Sequence, residues 1–199
     1  MDIFSREFLL EDDRVLLRPL APSDYSLLLP FAIEEPELWK YSMVSPAGAD
    51  GMKVYIDGAL KNKNAGTEYP FIVFDKKQKA YAGSTRFYDI QPANLSTQLG
   101  YTWYGKSFQR TGLNRHCKFL LLQFAFEEWG LERVEFRADA NNERSIAAMK
   151  AIGCTVEGIL RSHTPTFTGV RRNSIILSIL KNEWFDHVKA DLVKKIYQD

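Results

Sequence analysis

The segment from Thr97 to Glu128 constrains the fold of this chain more than any other. Its first part, Thr97 to Tyr104, is rich in aromatic and β-branched residues, which predicts a β-strand. A polar loop from Gly105 to Thr111 follows. After Gly112, apolar residues recur at helical spacing on almost every side, so the pattern predicts a long and largely buried helix.

A strand that leads through such a loop into a helix is a ready anion-binding site. The first four backbone amides of a helix lack internal partners, and the helix dipole adds about half a positive charge there. A side chain at Gly112 would stand between these amides and a phosphate. The kinase and NTPase patterns GxGxxG and GxxxxGK[ST] are absent. A single glycine is also compatible with an ordinary strand–loop–helix connection.

The residues around Gly112 resemble a known coenzyme A loop. Residues 109–114 read QRTGLN, which is similar to the [QR]-x-x-G-x-[GA] loop with which GNAT acetyltransferases bind the pyrophosphate of coenzyme A. Asn114 departs from that pattern, because most of the superfamily has Gly or Ala at this place. The ribosomal-protein-alanine acetyltransferase branch, with its RimJ-like and RimL-like proteins, often tolerates other residues there.

Later segments resemble the same branch. Residues 142–145 (NERS) and 150–154 (KAIGC) are similar to its N-x-x-S…K-x-[LI]-G-F segment, and residues 157–161 (EGILR) to its E-G-x-[LF]-R signature. The order and spacing of the four segments make the resemblance strong. It extends from about Arg14 to Trp184.

The resemblance implies an α+β fold of the GNAT (acyl-CoA N-acyltransferase) type, a mixed central sheet of six to seven strands flanked by helices. We expect one N-acetyltransferase domain over residues 1–199, with its core at about 14–184 and a C-terminal helix at 182–197. The residue pattern itself predicts strands at 14–20, 69–75, 80–90, 97–104, 132–138, 155–160 and 174–180, and further helices near 21–32, 50–61 and 142–152. Residues 34–51 are predicted to be irregular, and in GNAT proteins this region helps to shape the acceptor pocket.

Composition and charge narrow the function classes. The 26 basic and 25 acidic residues give a formal charge of only +1, so nothing indicates nucleic acid or a membrane surface as a partner. The N-terminus is too charged for a signal peptide and no apolar run reaches membrane-spanning length, which predicts a cytoplasmic protein. Cys117 and Cys154 lie in apolar segments and are predicted to be buried thiols without a disulfide.

The resemblance implies acetyl-CoA as co-substrate, a primary amine as acceptor and no metal. The strand before the phosphate loop is expected to separate from its neighbour, so that backbone groups near Tyr101 to Tyr104 bind the pantetheine and polarise the thioester. The cofactor-binding residues implied in this way are Trp103, Tyr104, Gln109, Arg110, Thr111, Gly112, Leu113, Asn114, Asn142 and Ser145.

Ser145 and Gln98 are the catalytic candidates. Many GNAT enzymes protonate the departing thiolate with a tyrosine, but that position here is Met149, which cannot donate a proton. In the ribosomal branch, the serine at the position of Ser145 is the proposed partner of the sulfur, whereas a first-turn helix serine is otherwise bonded locally. Asn142 has two compatible roles, as helix N-cap and as pantetheine contact, since a cap uses only its carbonyl oxygen.

The general base is open. Enzymes of this branch often carry an acidic residue where this chain has Gln98, and glutamine binds an amine without taking its proton. An N-terminal amine, with a pKa of about 8, is partly neutral at pH 7, whereas lysine, at about 10.4, is almost wholly charged. The missing acid therefore favours a low-pKa amine or a base from elsewhere. Glu157 and His163 are near in sequence, although the preferred interpretation of His163 is a surface histidine at a strand end.

Three functions are compatible with these residues. The first is an N-acetyltransferase that works by direct attack of a protein N-terminal α-amine or of a small-molecule amine. The second is a non-catalytic coenzyme A-binding module, which Gln98 and Met149 favour and Asn142 and Ser145 argue against. The third, a purely structural α+β domain, requires the loop match to be coincidental. The sequence leaves open whether the protein is a monomer or a homodimer.

Overall fold

A computed structural model describes residues 3–197 and contains one mixed sheet of eight strands. In sequence order the strands are β1 (Leu10–Glu11), β2 (Val15–Pro19), β3 (Glu68–Asp75), β4 (Ala80–Gln91), β5 (Ser96–Tyr104), β6 (Arg133–Asp139), β7 (Thr155–Pro165) and β8 (Arg171–Leu180). Their spatial order is β1-β2-β3-β4-β5-β6-β8-β7, and only the β5–β6 pair is parallel within these residues. The expected mixed α+β sheet is confirmed. The additional strand is β1, whose two residues are too few to show a periodic pattern.

Helices cover both faces of the sheet. They are α1 (Tyr25–Glu34), α2 (Gly48–Asn64), α3 (Leu113–Gln123), α4 (Glu143–Ala151), α5 (Lys181–Glu183) and α6 (Lys189–Tyr197). A π-helical turn, Phe124–Glu128, continues α3, and a second one, Trp184–Val188, joins α5 to α6. The helices predicted over 113–128 and 182–197 are therefore present, each with one wide turn. None of the helices within residues 3–197 has the length and apolar character needed to span a membrane.

Two apolar clusters lie on opposite faces of the sheet. The larger one packs α3, α4 and α6 against the sheet through residues such as Phe87, Leu99, Leu121 and Phe136. The smaller one packs α1 and α2 against the other face. Alternate residues of a strand point to opposite faces, so each central strand contributes to both layers. Cys117 and Cys154 are free and buried, as predicted.

The region predicted to be irregular, 34–51, is more ordered than expected. A 3₁₀ turn, Pro36–Trp39, follows α1, and α2 begins at Gly48. Trp39 is only 2% exposed and packs edge-on against Trp103 of β5. This aromatic contact anchors the segment to the sheet, which a periodicity argument does not detect.

Gly83 brings β4 close to β5. The β3–β4 register shifts beside it, which marks a β-bulge. A Cβ atom at Gly83 would lie 2.0 Å from the carbonyl oxygen of Trp103. The close approach of these two strands therefore depends on the missing side chain.

Candidate active site

The loop before α3 has the conformation of an anion-binding site. Gly112 is the N-cap of α3 and has a φ of +83°, the left-handed region that favours glycine. Arg110 also has a positive φ, +61°. Left-handed backbone turns neighbouring amides toward a common point, and the amides of Leu113 and half-buried Asn114 lack partners within the helix. The first turn of α3 is therefore open to an anion.

The side chains of this loop differ in what they offer to a ligand. Lys106 and Arg110 are exposed beside the helix N-terminus, where their charges favour an anion. Thr111 donates through Oγ1 to the carbonyl oxygen of Phe108 (2.8 Å), and Leu113 is fully buried. At Thr111 and Leu113, only the backbone is available to a ligand.

Gln109 connects the loop to two neighbouring elements. Its Nε2 donates to the carbonyl oxygen of Tyr104 (2.8 Å), and its Oε1 accepts from Nη1 of Arg144 on α4 (2.7 Å). The side chain therefore joins the end of β5 to the start of α4. These bonds must rearrange before the Gln109 amide can contact a ligand.

β5 and β6 separate beside this loop, as the resemblance implied. They are paired only over Ser96–Gln98 and Arg133–Glu135. We call the gap between the later parts of the two strands, residues 99–104 and 136–139, the wedge. The edge of β5 that faces the wedge has no strand partner within residues 3–197. Its backbone polar groups are therefore open to a ligand or water, except where a side chain already binds them, as Gln109 does at the carbonyl oxygen of Tyr104.

The aromatic side chains of β5 point away from the wedge into the cores. Trp103 is buried and donates through Nε1 to Oη of Tyr55 (3.3 Å). Tyr104 is buried on the other face beside Cys117, and this burial raises the pKa of its hydroxyl. Tyr101 has a φ of +49° where the β4–β5 register shifts. At Trp103 and Tyr104, the groups that can reach a ligand are again those of the backbone.

A buried lysine lies inside the wedge. Nζ of Lys118, on the second turn of α3, donates to Oγ1 of Thr102 on β5 (2.8 Å) and lies 5.9 Å from the ring centroid of Phe136 on β6. The residue is 5% exposed. Burial lowers the pKa of Lys118 to about 8, whereas Cys117 and Cys154 act in the opposite direction. Lys118 is therefore mainly an ammonium ion at pH 7.

The start of α4 offers two polar groups that have no hydrogen-bond partner within residues 3–197. Oδ1 of Asn142 accepts from the backbone amide of Ser145 (3.1 Å), which confirms Asn142 as the N-cap. Its Nδ2 is not used by this cap. Ser145 is half-buried, and its Oγ makes no hydrogen bond to any residue between 3 and 197. The local bond expected of a first-turn serine is thus missing. Met149 is buried in the core.

A cavity of about 280 Å³ lies on the other face of the sheet. It is lined by Met43, Tyr88, Asp89, Gln98, Arg137, His163, Thr164 and Arg172. Gln98 is also the last residue of β5 that pairs with β6, so the cavity and the wedge meet at this residue. The two faces of the sheet are therefore connected at Gln98.

Gln98 holds a carboxylate and leaves one acceptor free. It is 5% exposed, and its Nε2 donates to Oδ2 of Asp89 (2.6 Å). The carboxylate fixes which end of the amide is the donor. Oε1 of Gln98 is buried and has no hydrogen-bond partner within residues 3–197. A buried acceptor of this kind requires a donor, and an N–H group in the cavity would provide one.

His163 belongs to this cavity, which corrects its interpretation as a surface histidine at a strand end. Its Nδ1 lies 3.0 Å from Oγ of Ser174 on β8. Burial lowers the pKa of His163, and the positive charges of Arg137 and Arg172 lower it further. The imidazole is therefore mainly neutral at pH 7 and able to accept a proton.

The same correction extends β7 beyond its predicted end at residue 160. The strand continues to Pro165 across an irregularity at Ser162, where φ is +49°. Oδ1 of Asn173 on β8 accepts a hydrogen bond from the backbone amide of Ser162 (2.8 Å). Nε of Arg171 donates to the carbonyl oxygen of Ser162 (3.0 Å). Contacts from side chains of β8 therefore extend β7 beyond residue 160, where the sequence pattern of β7 no longer predicts a strand.

Glu157, the other base candidate from sequence, does not line the cavity. It pairs with Arg133 (2.8 Å from Nη2 to Oε2) and accepts from the hydroxyl of Ser178. The hydrogen bond from Arg133 is the main reason that the pKa of Glu157 is lowered. Glu157 is thus an ion-pair partner on the sheet surface.

Sequence reasoning missed Asp89 and Lys118. Asp89 follows Tyr88, which lies opposite Gln98 in the β4–β5 register. Pairing the predicted strands 80–90 and 97–104 as a hairpin would have brought an acid near Gln98. The signal for Lys118 was a lysine within a helix that is apolar on almost every side.

One cluster has the composition of a metal site but is explained without an ion. Asp12, Asp13 and His116 bring three ligand atoms within 4.8 Å of one another. Oδ1 of Asp12 accepts from the amides of Arg14 and Val15 (both 2.8 Å), and Oδ2 lies 2.7 Å from Nδ1 of His116. The cluster fastens α3 to the turn before β2.

Comparisons with known proteins agree with this geometry. The family model described as acetyltransferase (GNAT) domain matches residues 14–155. The putative ribosomal N-acetyltransferase YdaF of Bacillus subtilis is 26% identical over 179 residues, which cover 87% of this chain and 94% of YdaF.

Solved structures share the fold. A putative acetyltransferase from T. thermophilus has a TM-score of 0.85 at 30% identity, covering 95% of this chain and 97% of that one. Mycobacterium smegmatis RimJ, in complex with CoA-disulfide, has a TM-score of 0.79 at 18% identity, covering 95% and 93%. The family model spans most of the chain, and the protein is therefore a member of the GNAT family of N-acetyltransferases.

Proposed function

We propose that this enzyme transfers the acetyl group of acetyl-CoA to a primary amine by direct attack, and that the acceptor is a protein N-terminal α-amine. The observation that carries the proposal is the buried, unpaired Oε1 of Gln98 at the junction of wedge and cavity. An amine that binds in the cavity would donate an N–H group to this oxygen. It would then lie beside the thioester of a coenzyme bound in the wedge.

The wedge and the loop before α3 fit coenzyme A. The unpaired edge of β5 suits the amide groups of pantetheine, and the open first turn of α3 suits a pyrophosphate. Asn142 Nδ2 and Ser145 Oγ are also free for contacts. The coenzyme supplies a thioester, whose acetyl carbon is the electrophile. RimJ of Mycobacterium smegmatis, which shares the fold, was solved with CoA-disulfide.

The cavity favours an amine that is already partly neutral. Arg137 and Arg172 line it with a single acid, Asp89, and the excess of positive charge disfavours a further cation there. A protein N-terminus, with a pKa of about 8, meets this condition better than a lysine side chain at about 10.4. The name of YdaF, a putative ribosomal N-acetyltransferase, agrees with a protein acceptor.

Gln98, His163 and Ser145 each have a separate role in the proposed reaction. Gln98 orients the amine by accepting an N–H bond, with Asp89 holding the amide in place. His163 takes the proton that the nitrogen loses as the C–N bond forms, because its imidazole is mainly neutral at pH 7. Ser145 is placed to hydrogen-bond the sulfur as the C–S bond breaks.

The test is release of the coenzyme A thiol from acetyl-CoA over a panel of amines. Peptides with a free N-terminus should support release, whereas the same peptides with a blocked N-terminus and an internal lysine should not. Gln98→Met keeps the side-chain volume and removes the acceptor, and it should lower kcat/KM about tenfold. Gln123→Met, on α3, is the matched control and should behave as the wild type.

The other candidate functions are outcomes of this panel. Release with small amines alone would assign a small-molecule acceptor. Acetyl-CoA binding without release for any amine would show a non-catalytic coenzyme A-binding module. Full activity of Gln98→Met would remove Gln98 from the acceptor site.

A further inference from the structure

Lys118 is a buried cation with few hydrogen-bond acceptors around it and no counter-ion within residues 3–197. Its Nζ has three N–H donors, and the residues between 3 and 197 provide a hydrogen-bond acceptor for one of them, Oγ1 of Thr102. No carboxylate in this part of the chain pairs with it. Burying a charge without a counter-ion is costly, and buried lysines are normally paired.

The packing around Lys118 does not require a cation. Oγ1 of Thr102 already lies 2.7 Å from Oγ1 of Thr85, so the threonine keeps a partner without the lysine. The rest of the surroundings include Phe136 and the thiols of Cys117 and Cys154. A methionine of similar length would satisfy such a site without any desolvated charge. The ammonium group therefore points to a partner that is not part of the protein.

The position of Nζ identifies the chemistry of that partner. Nζ contacts β5 through Thr102 and faces β6 through Phe136, so it lies between the two strands where they have separated. This is the gap in which the acyl-bearing end of a coenzyme would reach Gln98. The atom that gains negative charge there during acetyl transfer is the sulfur.

We propose that Nζ of Lys118 binds the sulfur of coenzyme A in the wedge and donates a proton to it when the thioester is cleaved. The inference rests on the proposed function only in requiring that coenzyme A occupies the wedge. It assigns a catalytic cation to the wedge of an enzyme in which Met149, buried on the neighbouring helix α4, has no proton to donate.

The proton balance of this step is complete. As the C–N bond forms, the acceptor nitrogen loses one proton to the base in the cavity. As the C–S bond breaks, the sulfur keeps the bonding electron pair and takes one proton from the Lys118 ammonium. Lys118 regains a proton from solvent, the base returns its own, and the products are the amide and the free thiol.

The charges around Lys118 suit this exchange. The titratable groups that face it are Cys117 on α3 and Cys154 in the turn after α4, and burial raises the pKa of both thiols to about 12. Both remain protonated near neutral pH. With a pKa of about 8, the ammonium is matched to a thiol near 8.5, which is the condition for efficient proton transfer.

The experiment measures the pKa of the coenzyme A thiol in its complex with the protein. Thiolate absorbance in the ultraviolet is followed during a pH titration, and the spectrum of the complex with desulfo-coenzyme A is subtracted. Cys117 and Cys154 stay silent in this range, since the pKa of each is raised to about 12. The bound thiol should ionise about one pH unit or more below the free thiol, because a cation lies within contact distance.

Three variants and one control separate the alternatives. Lys118→Met should return the thiol pKa to that of free coenzyme A or raise it, and Lys118→Arg should keep it low. Lys61→Met, an exposed lysine on α2, should match the wild type. A lowered thiol pKa that survives Lys118→Met but is lost in Ser145→Ala would show that Ser145 alone stabilises the thiolate, and this result would overturn the proposal for Lys118.

The titration of the wild type alone already tests the proposal. A bound thiol with the same pKa as free coenzyme A would overturn it. The readout separates this inference from the proposed function. A thiol pKa that depends on Lys118, in a protein that acetylates no amine, would leave the inference standing and remove the acetyl-transfer function. Turnover with an unshifted thiol would do the reverse.

Discussion

Lys118 should make the protein less stable than an apolar residue would at the same site. Burial lowers its pKa from 10.5 to about 8 in the folded chain. Below pH 8 the residue is charged in both states, and the folded state bears the full cost of burying that charge. Lys118→Met should therefore raise the free energy of unfolding at pH 7, by about 3 kcal/mol at most.

The pH dependence of this gain has a definite sign. Between about pH 8 and pH 10.5 the unfolded wild type binds more protons than the folded one, so wild-type stability rises relative to the variant. Urea unfolding of both proteins at pH 7 and near pH 10 should show the difference shrinking with pH. A constant difference would mean that the lysine charge is not the cause, and Lys61→Met controls for the change in net charge.

His163 gives a second prediction at this scale, on the pH profile of kcat/KM with one peptide acceptor. Because burial lowers the pKa of His163, the imidazole is already neutral where the acceptor amine titrates. The acid limb of the wild-type kcat/KM should therefore rise about tenfold per pH unit and bend at about pH 8, where half of the acceptor amine is neutral. His163→Gln should lower the whole curve without moving the bend. A bend that moves in the variant would show that His163 itself sets the acid limb.

The sequence located Asn142 and Ser145 correctly at the start of α4, because a motif with fixed spacing places its residues on one helical turn. It did not find Asp89 or the position of His163. Both depend on pairing between strands, and register is decided by contacts that are distant in sequence. The Asp89–Gln98 contact exists only after β4 and β5 have paired.

At the scale of elements, the loop before α3 gives a prediction in which Gly130 serves as the control for Gly112. Gly112 and Gly130 have similar left-handed φ values, +83° and +80°. Alanine at either position should cost about 1 kcal/mol of stability, because the left-handed region is unfavourable for residues with a Cβ. A Cβ atom at Gly130 would meet no other atom within 4 Å, and the residue lies after the π turn, away from the phosphate loop.

The two variants should differ only in ligand binding. Acetyl-CoA should raise the Tm of the wild type and of Gly130→Ala by the same amount, since a ligand that binds the folded state stabilises it. In Gly112→Ala the shift should be reduced or lost. An equal shift in both variants would exclude this loop from the coenzyme site.

Most elements followed from periodicity, and the exceptions share one physical cause. β7 runs past residue 160 because Arg171 and Asn173 of the neighbouring strand hold the irregular residue Ser162. The 3₁₀ turn at Pro36–Trp39 is held by the packing of Trp39 on Trp103. In each case a tertiary contact extends or orders a segment whose own pattern has ended.

At the scale of the whole molecule, we propose that the chain unfolds as one domain. The two apolar clusters lie on opposite faces of one continuous sheet, and Phe31 packs against both. Calorimetric and van't Hoff enthalpies of thermal unfolding should therefore agree, and saturating acetyl-CoA should move the whole transition upward. Two transitions, of which acetyl-CoA moves only one, would contradict the single-domain expectation.

The π turns in α3 and before α6 have a consequence for the length of the chain. The amide of Trp129 bonds to the carbonyl oxygen of Phe124, and the amide of Lys189 to that of Trp184, so each loop of backbone encloses one residue more than an α-turn. A wide turn of this kind absorbs an inserted residue while the two ends of the helix keep their faces. Removal of Glu128, which is exposed in the first π turn, should convert that turn to a regular one and leave both ends in place.

A deletion in the preceding turns of α3 has a different effect. Losing one residue between 114 and 122 rotates the flanking faces by about 100° relative to each other, because an α-helix has about 3.6 residues per turn. Lys118 would then leave the wedge or the phosphate loop would turn away from it. A deletion scan of this helix should therefore tolerate a gap within 124–128 and reject one nearer its start. We therefore expect changes of length to be tolerated only in the half of the helix that lies away from the proposed coenzyme site.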